Sequence, residues 1–163
     1  MQKTEPQSSL KAGATFNLTK VKDEVNIAVF GDVHLGHDKT KTNEIISKLY
    51  KLFPETEATR NLDFIFIEGD LFDRLLYLNN DYMVDIVIWM EWLLNKCAKH
   101  GIALRVLEGT PSHDMRQPEI MASLAKKYTD DLDFKYADTL CIEFHERTGL
   151  SILYLPDEWN TPD

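Results

Sequence analysis

Apolar positions along this chain change their period several times, and each change marks an element. VNIAVF at 25–30 is a short apolar run closed by Gly31, which predicts a buried strand. Over 41–53 the apolar residues Ile45, Ile46, Leu49 and Leu52 or Phe53 return at helical spacing. LDFIFIE at 62–68 predicts a second strand, stopped by Gly69. Residues 81–99 contain neither Gly nor Pro and predict a long helix. It is apolar nearly all round between Tyr82 and Leu94, Trp89 and Trp92 included, so it is buried on more than one side. Core packing is the plainer explanation and a partner surface the other. IALRVLE at 102–108 predicts a third strand ending at Gly109, and Pro118 suits the first turn of a further helix reaching Tyr128. Short β-prone runs follow from Asp131 on: LDFKY, TLCIEFH and LSILYLP.

This alternation of strand and helix predicts an α/β fold with right-handed crossovers and a largely parallel sheet with flanking helices. Residues 1–22 are polar and aperiodic and read as a flexible tail, leaving 23–163 as one domain. In parallel sheets the loops leaving the carboxyl ends of the strands converge on one edge, where ligands bind. Here those loops begin GDVHLGH, GDLFDR and GTPSHD, each placing acid or imidazole groups directly after a strand.

Composition narrows the class. At 163 residues, 44% hydrophobic and 28% charged, the chain has the make-up of an ordinary globular domain with its own core. No apolar run approaches the roughly 20 residues that span a bilayer, so no membrane role is expected. The polar start is no signal peptide, and Cys97 and Cys141 stand far apart; together these point to a reducing, cytoplasmic setting. The net charge is −9, yet residues 1–22 carry Lys3, Lys11, Lys20 and Lys22 against Glu5 alone. A body that acidic excludes a broad basic surface for nucleic acid. If it handles phosphates, a cation must mediate. The basic tail suits either weak, salt-sensitive contact with nucleic acid or simple solubilisation.

Within the first loop, Asp32 and His34 are two residues apart and in an extended segment share a side. The second loop offers Asp70 and Asp73, the third Ser112, His113 and Asp114. Carboxylate and imidazole donors without thiolate suit Mn²⁺, Mg²⁺, Fe or Zn²⁺. Singly, a Gly-Asp pair is an ordinary turn and a lone loop histidine is ordinarily solvated. Three such loops on three successive strands carry the argument jointly. Ser112, His113 and Asp114 are no Ser–His–Asp triad, because base and orienter must bracket the imidazole from opposite sides and no G-x-S-x-G elbow is present.

Gly31-Asp32-Val33-His34, Gly69-Asp70-Leu71-Phe72-Asp73 and the segment ending His113-Asp114 resemble the first three motifs of the calcineurin-like metallophosphoesterases. GDVHLG and GDLFDR are similar to those of the Mre11/SbcD-type DNA-repair nucleases, whereas Leu75 and Asp114 depart from the protein phosphatases. The resemblance implies an α/β/β/α sandwich and a phosphodiesterase, first of all a DNA nuclease. It implies two divalent cations, Mn²⁺ foremost, with Asp32 and His34 on the first and Asp70 bridging both. His113 would stand by the scissile phosphate and assist the leaving group, and Asp73 would steady the loop or a histidine. His37 corresponds to a residue near the nucleases' site, with a surface role as the alternative.

Ser112 stands where the family has an Asn ligand, and Thr110 and Pro111 lengthen the loop before it. It is therefore either a weaker ligand of the second cation or a plain turn residue. The family's later Gly-His-x-His block has no counterpart here, so the resemblance implies the N-terminal portion of such a domain. His145 reads as solvent-facing in a strand, while Asp157 and Glu158 are either substitute ligands or another turn. A Rad50/SbcC-like ATPase partner and a homodimer follow by analogy. The other functions in view are a phosphomonoesterase, a cyclic-nucleotide phosphodiesterase, and a binding module that kept the fold without catalysis.

Overall fold

The computed structural model describes residues 23–80 and 82–157. Four strands, β1 (Ile27–Phe30), β2 (Phe64–Glu68), β3 (Ala103–Leu107) and β4 (Phe134–Ala137), form one parallel sheet in the order β1-β2-β3-β4. Between them run α1 (Thr42–Leu52) with the single turn α2 (Glu57–Arg60), then α3 (Met83–His100), then α4 (Glu119–Ala125) continuing into a 3₁₀ turn at Lys126–Asp131. When consecutive strands are neighbours, right-handed crossovers all return over the same face of the sheet. The helices therefore share one face. Residues of one parity, Ile65 and Ile67 of β2 with Leu104 and Val106 of β3, form the core with Leu49, Trp89, Leu93 and Met121 from those helices. Trp89 is buried, so its helix serves the domain's own core, although Val84 and Ile88 on its outer side are exposed. The chain is thus α/β, as its periodicity predicts.

The opposite face is met by an antiparallel hairpin, β5 (Cys141–His145) and β6 (Leu150–Tyr154). Its attachment is polar. Arg105 projects from β3 with its side chain 2% exposed and donates from Nε and Nη2 to Glu143 at 3.0 and 2.6 Å, and also lies 2.8 Å from Asp133. The Tyr154 hydroxyl donates to the same Glu143 carboxylate at 2.6 Å. His145 corrects the solvent-facing expectation. It is buried, its Nε2 sits 2.9 Å from Asp133 and its Nδ1 2.8 Å from the Thr148 hydroxyl, and its ring lies edge-on to Phe64. A buried guanidinium needs anionic partners, so the hairpin turns its polar residues inward. Its apolar side points out, where Ile142, Phe144 and Leu153 are exposed. No second helical layer covers it among the described residues. The predicted flexible tail at 1–22 lies outside the described residues.

Candidate metal centre

Parallel pairing does not stop where β1 and β2 end. Val33 and His34 both donate their N–H to the Asp70 carbonyl, at 2.9 and 3.0 Å, and Leu35 N–H donates to Leu71 O at 2.9 Å. A further bridge joins Leu35 and Phe72, both fully buried. The first two loops thus run side by side, anchored by Leu35, Leu71 and Phe72 beneath and presenting their polar residues above. The third loop closes onto them through backbone contact between glycines. A Cβ on Gly69, whose φ is +76°, would meet Gly109 Cα at 2.8 Å. One on Gly109 would lie 2.1 Å from Asp70 N and 2.5 Å from its Oδ1. Only glycine lets these loops come so close.

This packing gathers His34, Asp70 and His113 into one group, each offering a ligand atom within 4.8 Å of the others. The rings of His34 and His113 meet edge to face with centroids 4.9 Å apart. Three of the motif residues hold left-handed backbone conformations: Asp32 at φ +56°, His34 at +53° and Asp70 at +47°. Such conformations strain residues that carry a Cβ, and they cluster where a fold holds side chains in place for function.

Each member has a partner that aims it. Asp70 accepts from Thr110 N–H at 2.7 Å and from the Thr110 hydroxyl at 3.2 Å, and its Oδ2 lies 3.2 Å from His113 Nδ1. Burial raises the Asp70 pKa, but the Thr110 N–H, His113 and the Thr110 hydroxyl outweigh it and hold this carboxyl below the usual value. It is therefore ionised, as a ligand must be. His34 Nε2 is 2.9 Å from Asp32 Oδ1. His34 Nδ1 is buried without an aligned hydrogen bond, although Asp73 Oδ1 lies 3.2 Å away. An imidazole set between two carboxylates and opposite a third suits a site that takes up positive charge. These oxygen and nitrogen donors fit a hard or borderline divalent cation.

The remaining predicted residues separate. Asp32 touches His34 but its side chain is 84% exposed, outside the three-residue group. Asp73 is placed behind His34 rather than at the group's centre. Ser112 is exposed on the turn after Pro111. The His37 ring centroid is 6.5 Å from that of His34, and its Nδ1 accepts from Lys39 N–H. Asp114 turns away from the group: fully buried, it accepts from Phe72 and Gly109 N–H at 2.8 Å each. Burial pushes its pKa up to about 6 against those two hydrogen bonds. It pins the third loop to the second. Asp157 shares a cleft of about 250 Å³ with Asp32, Asp70 and Thr110, while Glu158 lies outside the described residues.

Two participants escape any reading of the sequence. Thr110, directly after Gly109, donates to Asp70 from both its backbone N–H and its hydroxyl. Glu108 is buried at the end of β3, where it accepts from Arg116 N–H and from the Tyr136 hydroxyl and so fixes the base of the third loop. No motif or period flags either residue. The sequence matches no protein-family model and no curated protein.

Proposed function

We propose that this chain is a divalent-metal-dependent phosphoesterase that cleaves phosphodiesters, with DNA as the first substrate to test. The supporting observation is the convergence of His34, Asp70 and His113 from three loops at the carboxyl ends of adjacent parallel strands. In this reading His34 and Asp70 hold the cation and Asp32 and Asp157 border it, with Mn²⁺ the first candidate. A divalent ion there would neutralise phosphate charge and acidify a water. His113, tied through Nδ1 to Asp70, keeps Nε2 for handing a proton to the leaving oxygen. Asp73 holds the His34 ring from behind, an outer contact of the kind that sets ligand basicity and orientation. A second cation, a homodimer and an ATPase partner belong to the same proposal through the motif resemblance. So does the calcineurin-like sandwich, which the helix–sheet–hairpin layering supports.

The decisive variant is Asp70→Asn, which keeps size while removing the charge. Mn²⁺-dependent cleavage of DNA ends and of a simple phosphodiester is expected to fall by at least the roughly 100-fold that even an outer-shell loss can reach. An unchanged rate, with unchanged Mn²⁺ uptake by calorimetry, sinks the proposal. A non-catalytic cation-binding module is the second reading, favoured by the exposure of Asp32 and by a group of three donors among the described residues. Stoichiometric Mn²⁺ uptake without turnover of any phosphoester would establish it.

A further inference from the structure

Beside the His34, Asp70 and His113 group, a cleft of about 420 Å³ opens between the start of α1 and the start of α3. Its volume falls within the range of about 300–1,000 Å³ common to small-molecule sites. His37 lines it, and the His37 ring is 6.5 Å from that of His34. The cleft therefore begins one side chain away from the proposed cation.

Its lining decides what fits. Lys41 and Arg74 are balanced by Asp38 and Asp85, so the cleft carries no surplus positive charge for a second phosphate. Arg74 is in addition paired to Asp38 and donates to the Gly36 carbonyl at 2.5 Å. The result is a planar cation pinned in place yet 42% exposed, next to the half-buried ring of Tyr82. Flat faces that are already ordered stack on heteroaromatic rings without further loss of side-chain freedom. Around them the Asn43 amide and the Asp85 carboxylate offer hydrogen-bond donors and an acceptor for ring edges or sugar hydroxyls. A neutral, planar, polar-edged group matches this chemistry; a polyphosphate does not.

We infer that this cleft receives the nucleoside attached to the scissile phosphate, with Tyr82 and Arg74 as stacking faces and Asn43 as the hydrogen-bonding group. The inference rests on the phosphoesterase reading for its catalytic meaning, but the cleft can be tested without it. Thymidine 5′-(4-nitrophenyl) phosphate and methyl 4-nitrophenyl phosphate share one leaving group and differ only in the nucleoside. In Mn²⁺, Tyr82→Ala is expected to lower the ratio of kcat/KM between them roughly tenfold, the scale of one lost stacking contact. Asn43→Ala, at an exposed position on α1, guards against a folding artefact and should lower the ratio in the same direction. A ratio unchanged in both variants overturns the inference. If the wild-type protein hydrolyses neither ester, the phosphoesterase reading is what has failed. The cleft is then judged by titrating thymidine alone and following the backbone amides of Asn43 and Tyr82 by NMR. Saturable shifts that vanish in Tyr82→Ala support it, and their absence in the wild-type protein refutes it.

Discussion

At the scale of single residues, this site depends on close approach. Asp70 is useful only because Thr110 and His113 reach it, and they reach it because Gly109 and Gly69 let two loop backbones touch. Gly109→Ala would set a methyl carbon against Asp70 N and Asp114 Oδ2, which lie 2.1 and 2.7 Å from the position it must take. Backbone atoms cannot swing aside as the end of a long side chain can. The variant is expected to lose about 1–3 kcal/mol of stability, the range for overpacking. Its Mn²⁺ affinity should fall along with its thermal midpoint. A stable protein with unaltered Mn²⁺ uptake would show that the two glycines are not what brings the loops together.

Among the elements, the hairpin is the one most exposed to solution conditions. Arg105, Glu143, Asp133 and His145 hold it to the sheet, and removing the guanidinium would take from the half-buried Glu143 its two closest charged hydrogen bonds, leaving Lys135 at 3.9 Å and the Tyr154 hydroxyl. Arg105→Ala is therefore expected to cost about 1–3 kcal/mol. For Glu143, burial raises the pKa but the hydrogen bonds from Arg105 and Tyr154 hold it below the usual value. For Asp133, burial likewise raises it while His145 and Arg105 lower it further. Folded-state pKa values depressed in this way make the stabilisation complete above the ordinary carboxylate pKa values of about 4 and remove it as pH falls through the lower folded values. Hydrogen exchange in Cys141–His145 and Leu150–Tyr154 should accelerate below about pH 4 before the parallel sheet opens. Simultaneous loss of both sheets would refute this order. The same scale shows where periodicity falls short. The predicted helix to Tyr128 ends as α4 at Ala125 and tightens into 3₁₀ geometry, and the four-residue α2, capped by Thr56, is too short to produce a period.

For the whole molecule, charge and layering set the terms. A net charge of −9 repels a polyanion, so the proposed contact with DNA would have to run through a cation held at His34, Asp70 and His113 rather than through a broad basic surface. Chelation by EDTA is accordingly expected to abolish DNA binding as well as cleavage, measured by fluorescence anisotropy at fixed ionic strength. Binding that survives chelation would require a different interface. None of the helices among the described residues is long and apolar enough to cross a membrane. The exposed apolar row of Ile142, Phe144 and Leu153 is the opposite of what a free-standing hairpin presents, and it arises because Arg105 claims the hairpin's polar side.

Local periods and short motifs were enough to place strands, helices and the three polar loops, because a strand's alternation and a helix's 3.6-residue repeat record which side of an element is buried. Asp32, His34, Asp70 and His113 could be named for the same reason: each follows a strand end, and parallel strands deliver their ends to one edge. What each loop carboxylate then does was settled only in three dimensions. Asp70 joins His34 and His113, Asp73 stands behind His34, and Asp114 turns inward to hold two backbone N–H groups. The direction of a loop side chain follows from left-handed backbone angles and from partners some 40 residues away, such as Thr110 for Asp70. No short-range pattern encodes those contacts, nor the pairing of the buried His145 with the half-exposed Asp133 that turned a strand histidine inward.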